Sequence, residues 1–302
     1  MNKKEKKSDF LSYMVCGISV GVLLYYLALA ALGGVFIFSA SYLINYWVNS
    51  QQASSDYNDL ANLKDSILAT MPTKPATKPT DPPPPPTDPS TGETVVTEPL
   101  PTEPTEPTEP QILPEYAPFY DLNSDTVGWI TIPDTKIDYP VMQTPDNPDY
   151  YLKRNFYKMW SDWGAIYARE ACDINRPSDN ITLYGHHMKD GSMFAQLHKF
   201  QSKAFWEEHQ TFTFDTLYEH HTYKIWAVFK VTANLGDAHF PYHRFSDAYA
   251  EEDFTDFVAT IKSMDFYDTG ITPVYGDKLL TLSTCEYTLD NGRFVVCAVR
   301  IS

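Results

Sequence analysis

The longest apolar block of the chain lies near its N-terminus. Positions 10–55 contain no Asp, Glu, Lys or Arg, and the run Met14–Ile44 within them is almost wholly apolar. A helix of that length can cross the roughly 30 Å hydrocarbon layer of a bilayer. The pattern therefore predicts a transmembrane signal-anchor over residues 14–44. The alternative is a cleaved signal peptide, which the length disfavours because the apolar core of a signal peptide is typically about 7–15 residues.

The residues on either side of this block predict its orientation. Four lysines lie in residues 1–13, whereas Tyr42, Tyr46 and Trp47 lie at the far end of the block. Lys and Arg are enriched on the cytoplasmic side of membrane helices, and Tyr and Trp favour the membrane interfaces. The sequence thus predicts a cytoplasmic basic tail over 1–13 and a single-pass cell membrane protein with its N-terminus inside. The remainder of the chain is then extracellular.

Two segments with different patterns follow the apolar block. Residues 45–71 form a juxtamembrane amphipathic segment, in which the helical spacing of Leu60, Leu63 and Ile67 predicts a short helix over Tyr57–Thr70. Residues 72–114 hold 15 of the 23 prolines and repeat the triplet Thr-Glu-Pro. Such a composition cannot bury a core, so it predicts a disordered linker that serves as a semi-rigid stalk. A recognition site for proline-binding domains is the weaker alternative.

Residues 115–302 are rich in Tyr, Phe and Trp and contain eight strand-like runs, which predict a folded, mainly β domain. The eight strand-like runs are Val127–Ile132, Ile137–Met142, Gly164–Ala168, Asn180–Gly185, Thr211–Thr216, Thr222–Thr232, Lys278–Cys285 and Arg293–Ile301. Between the sixth and the seventh run, Ala248–Met264 has the spacing of an amphipathic helix, and Met193–Phe200 predicts a shorter one. Many strands with few helices predict a closed or nearly closed β-barrel.

Charge and cysteine content narrow the classes of function. The formal net charge of −16 argues against a nucleic-acid partner, because phosphate binding needs clustered Lys and Arg. Cys16 lies in the apolar block, and the remaining Cys172, Cys285 and Cys297 cannot all pair with one another. Cys297 has apolar neighbours in a strand and is predicted to be core, whereas Cys172 receives no role. The sequence contains no HExxH or CxxC motif, so we expect no metal and no cofactor.

The candidate chemistry lies at the predicted strand ends. Cys285 ends one strand, and the Asp-Asn-Gly turn after it would place Arg293 beside it at one edge of the sheet. His186 and His187 follow another strand, and only one of them should face Cys285 because neighbours in an extended segment point oppositely. A thiol, an imidazole and a guanidinium can serve as nucleophile, acid/base and oxyanion stabiliser. Alternatively, Cys285 is a small hydrophobic residue of the core.

Three motifs carry a resemblance to a known family. They are TLSTCEY (281–287) with its downstream arginine, YGHHMKDGSMFAQL (184–197) and LNSDTVGWITIP (122–133). Together they resemble the class B sortases, which are membrane-bound cysteine transpeptidases of Gram-positive bacteria. The resemblance implies an eight-stranded sortase-type β-barrel for the catalytic domain 115–302. It also implies catalytic roles for Cys285, His186 and Arg293, and a substrate groove lined by Ser283, Thr284 and Glu286.

The resemblance also implies a reaction and its partners. The enzyme would cleave a C-terminal sorting signal of a secreted protein after Thr, through a thioacyl intermediate. It would then join the new end to an amine of a peptidoglycan precursor or of a pilin. A cysteine endopeptidase that only hydrolyses, and a non-catalytic stalked surface adhesin, are the alternatives. The sequence of the sorting motif and the identity of the acceptor amine stay open.

Overall fold

The computed structural model of the chain describes residues 14–15, 18–71, 110–234 and 240–302. The predicted cytoplasmic tail and positions 72–109 of the predicted Pro-rich linker lie outside the described residues. The chain divides into two compact units, Met1–Asn58 and Asp59–Ser302. The predicted barrel belongs to the second unit.

One long helix occupies most of the N-terminal region. This helix, α1 (Val20–Thr70), begins six residues later than the predicted span, and Met14–Val15 instead pairs antiparallel with Ile18–Ser19. Within the described residues, α1 is the one helix long and apolar enough to cross a membrane. Its apolar part, from Val20 to position 44, is about 37 Å long at 1.5 Å per residue, which is sufficient to span a bilayer.

The predicted amphipathic helix is the C-terminal part of α1 and not a separate element. No Gly or Pro occurs between positions 35 and 71, so nothing in the sequence interrupts the backbone hydrogen bonds before Pro72. Leu60 and Lys64, which lie one turn apart in this part of the helix, are buried.

Eight strands of the second unit close into a barrel. They are β1 (Thr126–Thr131), β2 (Asp138–Met142), β3 (Ile166–Ala168), β4 (Asn180–Tyr184), β5 (Thr211–Thr216), β6 (Thr222–Thr232), β7 (Leu279–Glu286) and β8 (Gly292–Arg300). Around the barrel they follow the order β8, β6, β5, β1, β2, β3, β4 and β7, and β7 pairs with β8 to close it. Only the pairs β2–β3 and β4–β7 are parallel. The predicted fold class is confirmed, and each predicted strand end lies within two residues of the observed one.

The helices of this unit are short and pack around the barrel. Besides the end of α1, they are α2 (Ala117–Leu122), α3 (Lys203–Glu208), α4 (Glu251–Met264) and 3-10 helices over Tyr150–Lys153, Ala195–Gln201 and Tyr242–Arg244. The 3-10 helix over Ala195–Gln201 lies where the pattern predicted a short helix. In α4 the buried residues are Phe254, Phe257, Val258 and Ile261, the four at helical spacing. They join one hydrophobic cluster with β6, β7 and β8 that includes Cys297. Burial raises the pKa of Cys297 to about 12, so its predicted place in the core is confirmed.

The residues on both sides of the Pro-rich segment contact the barrel. The Lys64 ammonium of α1 pairs with the Asp138 carboxylate and lies 4.6 Å from the centre of the Trp129 ring. On the other side, the Leu113 N–H donates to the Leu217 carbonyl over 2.7 Å. The last turns of α1 are therefore part of the barrel unit. The spacing that the stalk would provide between barrel and membrane stays a prediction.

A truncation in the centre of α4 tests the packing of this helix. We expect Phe254→Ala to lower the free energy of unfolding by about 3–5 kcal/mol, because it leaves a cavity under the helix. The matched control is Asp256→Ala on the exposed face of α4, for which we expect a change within about 0.5 kcal/mol. Urea unfolding of both variants measures the difference. Similar values for the two would show that α4 does not pack on the barrel.

Candidate active site

A cleft opens where β4 and β7 end side by side. The two strands are parallel, and Tyr184 of β4 lies opposite Ser283 of β7. The chain therefore leaves β4 through His186 at the same edge at which β7 reaches Cys285. Strand β8 begins at this edge in the antiparallel sense and places Arg293 directly opposite Cys285. All three side chains line one cleft of about 470 Å³.

Cys285 is the accessible thiol of the described chain. None of the three described cysteines is in a disulfide, and of these only Cys285 is not fully buried. Burial raises the pKa of Cys172 and of Cys297, which makes both poor nucleophiles. The Sγ of Cys172 lies 3.5 Å from the Asn180 carbonyl, so this residue has a structural setting away from the cleft lining.

The residue before His186 is glycine because neighbouring side chains leave no room for a Cβ. A Cβ at Gly185 would lie 2.5 Å from Ile166 Cδ1 and 2.7 Å from the ring of Phe194. Real Cβ atoms do not approach other atoms so closely, so the close approach of two buried side chains requires glycine here. A backbone conformation reserved for glycine is not the cause, because Gly185 is not among the residues with positive φ.

The His186 ring is held in one tautomer. Its Nε2 lies 2.7 Å from the Leu152 carbonyl oxygen, which can only accept a hydrogen bond, so Nε2 carries the proton. Burial, opposed by this hydrogen bond, lowers the pKa of His186 below its ordinary value. Near neutral pH the ring is then neutral, and Nδ1 is the nitrogen that can accept a proton.

His187 lies on the other side of the nucleophile. Its Nδ1 is 3.1 Å from the main-chain oxygen of Cys285, and it is not among the residues that line the cleft. The two neighbouring histidines therefore point to opposite sides, as the extended backbone predicts. His186 is the one that shares the cleft with the thiol.

The turn between β7 and β8 orients Arg293. Asn291 has a φ of 49°, in the left-handed region that Asn tolerates better than most residues. The Arg293 Nη1 donates to the main-chain oxygen of Gly292 over 2.9 Å and to the side-chain oxygen of Asn291 over 3.1 Å. The predicted Asp-Asn-Gly turn thus fixes the guanidinium as well as the strand pairing.

The three residues expected in the groove have different surroundings. Ser283 and Thr284 line the cleft, and the Ser283 hydroxyl lies 2.6 Å from the hydroxyl of Tyr242. The Thr284 hydroxyl is buried and has no hydrogen-bond partner among the described residues. Glu286 is not among the residues that line this cleft, and its carboxylate lies 3.3 Å from both His198 Nδ1 and Lys230 Nζ, so its expected place in the substrate groove stays a prediction.

Several cleft residues gave no signal in the sequence. They come from segments that are far apart along the chain, and include Asp149, Leu152, Tyr167, Arg169, Glu170, His243 and Arg244. None of them belongs to a motif, and only the closure of the barrel brings them to one place. Among the described residues, no group of His, Cys, Asp and Glu is arranged to hold a metal ion.

Comparison with known proteins identifies the family of the chain. The family profile described as Sortase domain matches residues 130–301, which is more than half of the chain. The chain belongs to the sortase family. Sortase B of Listeria monocytogenes is 35% identical over 189 residues, which cover 62% of this chain and 74% of that protein. Sortase B of Staphylococcus aureus is 29% identical over the same length and is covered to 75%.

The fold comparison gives the same family. This sortase superposes on the crystal structure of sortase B from B. anthracis in complex with AAEK1 with a TM-score of 0.63 and 27% identity. The match covers 85% of this chain and 99% of that one. The eight-stranded barrel is therefore that of the class B sortases, and the protein is a cysteine transpeptidase at the level of its family.

Adding one methyl group at Gly185 tests the close packing before His186. We expect Gly185→Ala to lower the free energy of unfolding by about 1–3 kcal/mol, because the new Cβ overlaps Ile166 and Phe194. Adding Ile166→Val removes the nearest overlapping atom, so the double variant should recover part of the loss. Urea unfolding measures both. An unchanged stability of the single variant would contradict the close approach.

The pH dependence of unfolding tests the environment of Glu286. Burial opposes its ionisation, but hydrogen bonds from Thr288 and Lys230 outweigh burial and lower the pKa of Glu286 below its ordinary value. A lowered pKa stabilises the fold above the unfolded-state value of about 4.3, and this contribution is lost as the pH falls through the native pKa. We therefore expect wild type to be more stable than Glu286→Gln near neutral pH.

The difference in the free energy of unfolding between wild type and Glu286→Gln should shrink as the pH falls. Once Glu286 is protonated, it carries no more charge than the glutamine that replaces it. Urea unfolding between about pH 7 and about pH 3 follows the two curves through this range. Curves that stay parallel throughout would show that Glu286 does not titrate differently in the folded and unfolded chain.

Proposed function

We propose that this sortase joins secreted proteins to an amine through a thioacyl intermediate on Cys285. One observation carries the proposal: strand register alone brings the accessible thiol, His186 and Arg293 to a single cleft. The substrate is a C-terminal sorting signal, which is cleaved after Thr. The acceptor is an amine of a peptidoglycan precursor or of a pilin.

The first half of the reaction forms the acyl-enzyme. Nδ1 of His186 takes the proton of the Cys285 thiol, because the Leu152 carbonyl holds the other ring nitrogen as a donor. The thiolate adds to the Thr carbonyl, and Arg293 stabilises the negative oxygen that forms. The imidazolium of His186 returns its proton to the departing amine as the C–N bond breaks. The products are a thioester on Cys285 and a free C-terminal fragment.

In the second half of the reaction, the acceptor amine is the nucleophile and the sulfur of Cys285 is the leaving group. An acceptor amine attacks the thioester, and His186 removes the proton that the amine loses. The new amide leaves, and the sulfur of Cys285 is released as a thiolate that regains a proton. Hydrolysis would follow the same path with water in place of the amine, so the choice of acceptor separates a transpeptidase from an endopeptidase.

The proposed location follows from α1 and the family. The apolar helix fits a membrane anchor, and the lysines before it favour a cytoplasmic N-terminus. The catalytic domain would then lie outside the cell, where secreted proteins that carry sorting signals and wall precursors are both present.

An acyl-transfer assay on the full-length protein tests the proposed function. The protein, in detergent micelles, is incubated with a pooled library of sorting-motif peptides and either triglycine or a lysine-containing peptide. We expect cleavage after Thr and amine adducts by mass spectrometry. Cys285→Ala should abolish the adducts, and Arg293→Lys should lower the rate by roughly 100-fold because removing one oxyanion donor costs about 10²–10³.

Two outcomes would count against the proposal. Cleavage that yields only free carboxylates with every amine offered would identify a hydrolase. Adducts that persist in Cys285→Ala would exclude a thioacyl intermediate on this residue. Cys172→Ser is the matched control, because this buried cysteine lies outside the cleft lining and should leave adduct formation unchanged.

A further inference from the structure

A second group of polar side chains lies behind Cys285, outside the cleft. This back cluster consists of His187, His198, Lys230 and Glu286, none of which lines the cleft. The main-chain oxygen of Cys285 lies 3.1 Å from Nδ1 of His187 and 3.3 Å from Nε2 of His198. Two imidazole rings therefore converge on one carbonyl, and that carbonyl belongs to the nucleophile.

The partners of the back cluster limit where its protons can lie. A carbonyl oxygen only accepts, so each imidazole contact requires an N–H. Burial, followed by the neighbouring His187, lowers the pKa of His198, which leaves its ring one N–H near neutral pH. The two oxygens of Glu286 already receive the Lys230 ammonium at 3.3 Å and the Thr288 N–H at 2.8 Å. Nδ1 of His198 also lies 3.3 Å from a Glu286 oxygen, so the neutral ring, with its one N–H, donates to the Cys285 carbonyl only in the tautomer that gives up the hydrogen bond to Glu286.

His187 connects the nucleophile to the loop that carries His186. The main-chain oxygen of His186 accepts from the Phe194 N–H over 2.9 Å, which fixes this loop on one side. On the other side, the His187 ring contacts the Cys285 carbonyl, and the Tyr287 hydroxyl donates to the His187 main-chain oxygen over 3.1 Å. The residue next to His186 therefore contacts Cys285 directly.

Aromatic packing restrains the two imidazole rings. The centres of the His187 and His198 rings are 4.4 Å apart, and the His198 ring stacks on Phe294 at 4.2 Å. Phe294 lies opposite Thr284 in the β7–β8 ladder and is fully buried. The rings are therefore oriented by the same two strands that carry Cys285 and Arg293.

We propose that His187 and His198 are positioning residues for the transpeptidation reaction. Their N–H groups hold the Cys285 carbonyl and thereby fix the Cys285 thiol relative to the His186 ring. The proposal rests on the proposed roles of Cys285 and His186. Geometry sets the loss of rate expected when these N–H groups are removed, because a misplacement of about 1 Å between reacting groups can cost roughly 100-fold in rate.

Two pairs of variants separate the N–H groups from the bulk of the rings. His187→Leu and His198→Met remove the donors, whereas His187→Asn and His198→Gln place an amide nitrogen near the original Nδ1 and Nε2. In His187→Leu and His198→Met we expect kcat to fall roughly 10- to 100-fold and KM to change by no more than about twofold. Asn and Gln should restore most of the lost kcat.

The measurements use the full-length protein and include controls for folding and for chemistry. The melting temperature of each variant is recorded, and the alkylation rate of Cys285 by iodoacetamide reports on the thiol without a substrate. Alkylation should slow in the Leu and Met variants and recover in the Asn and Gln variants. His220→Asn, at an exposed histidine between Glu115 and Asp215, should leave kcat and alkylation unchanged.

The possible failures are distinguishable. Wild-type kcat in both His187→Leu and His198→Met would overturn the positioning role. Equal loss in the Leu and Asn variants, and in the Met and Gln variants, would also overturn it, because packing and not hydrogen bonding would then explain the effect. Cys285→Ala is assayed in parallel. Adducts formed by Cys285→Ala would refute the proposed function itself, whereas an inactive Cys285→Ala beside fully active His187→Leu and His198→Met would refute the positioning role alone.

Discussion

The parallel pairing of β4 with β7 is the constraint on which the site depends. It joins segments about a hundred residues apart and sets the ends of two strands, and so His186 and Cys285, at one edge of the barrel. A buried polar pair pins the register: the Thr281 hydroxyl donates over 2.8 Å to the side-chain oxygen of Asn180, which is fully buried. A slip by one residue would leave this pair unsatisfied and turn every side chain of β7 to the other face.

Strand β7 divides the chemistry between its two sides. On the cleft side lie the thiol of Cys285 and the hydroxyl of Ser283, with Arg293 opposite on β8. Behind the strand, the carboxylate of Glu286 and two histidines occupy a largely buried space. Buried polar groups are costly unless each has a partner, and here each carboxylate oxygen has one. One strand therefore presents the Cys285 thiol to the cleft and the paired carboxylate of Glu286 to the interior.

The N-terminal region adds a membrane-compatible helix to a family domain. The comparisons cover the barrel, and the last turns of α1 lie on that barrel through Lys64 and its ion pair with Asp138. The Trp129 ring beneath this ammonium contributes a further electrostatic attraction. The Pro-rich segment therefore begins and ends beside residues that belong to the same unit as the cleft that Cys285 lines.

The sequence by itself determined the elements and the three central side chains. Runs of apolar, aromatic and hydroxyl residues marked all eight strands, and apolar positions at the 3.6-residue spacing marked α4, because burial selects these residue types and spacings locally. Motifs marked Cys285, His186 and Arg293. Only the tertiary structure decided that Glu286 lies behind the strand and that Leu152 fixes the tautomer of His186. It also decided that Ile166 and Phe194 leave no room for a side chain at Gly185. These are contacts between segments distant along the chain, and local patterns record which face a residue takes but not what it meets there.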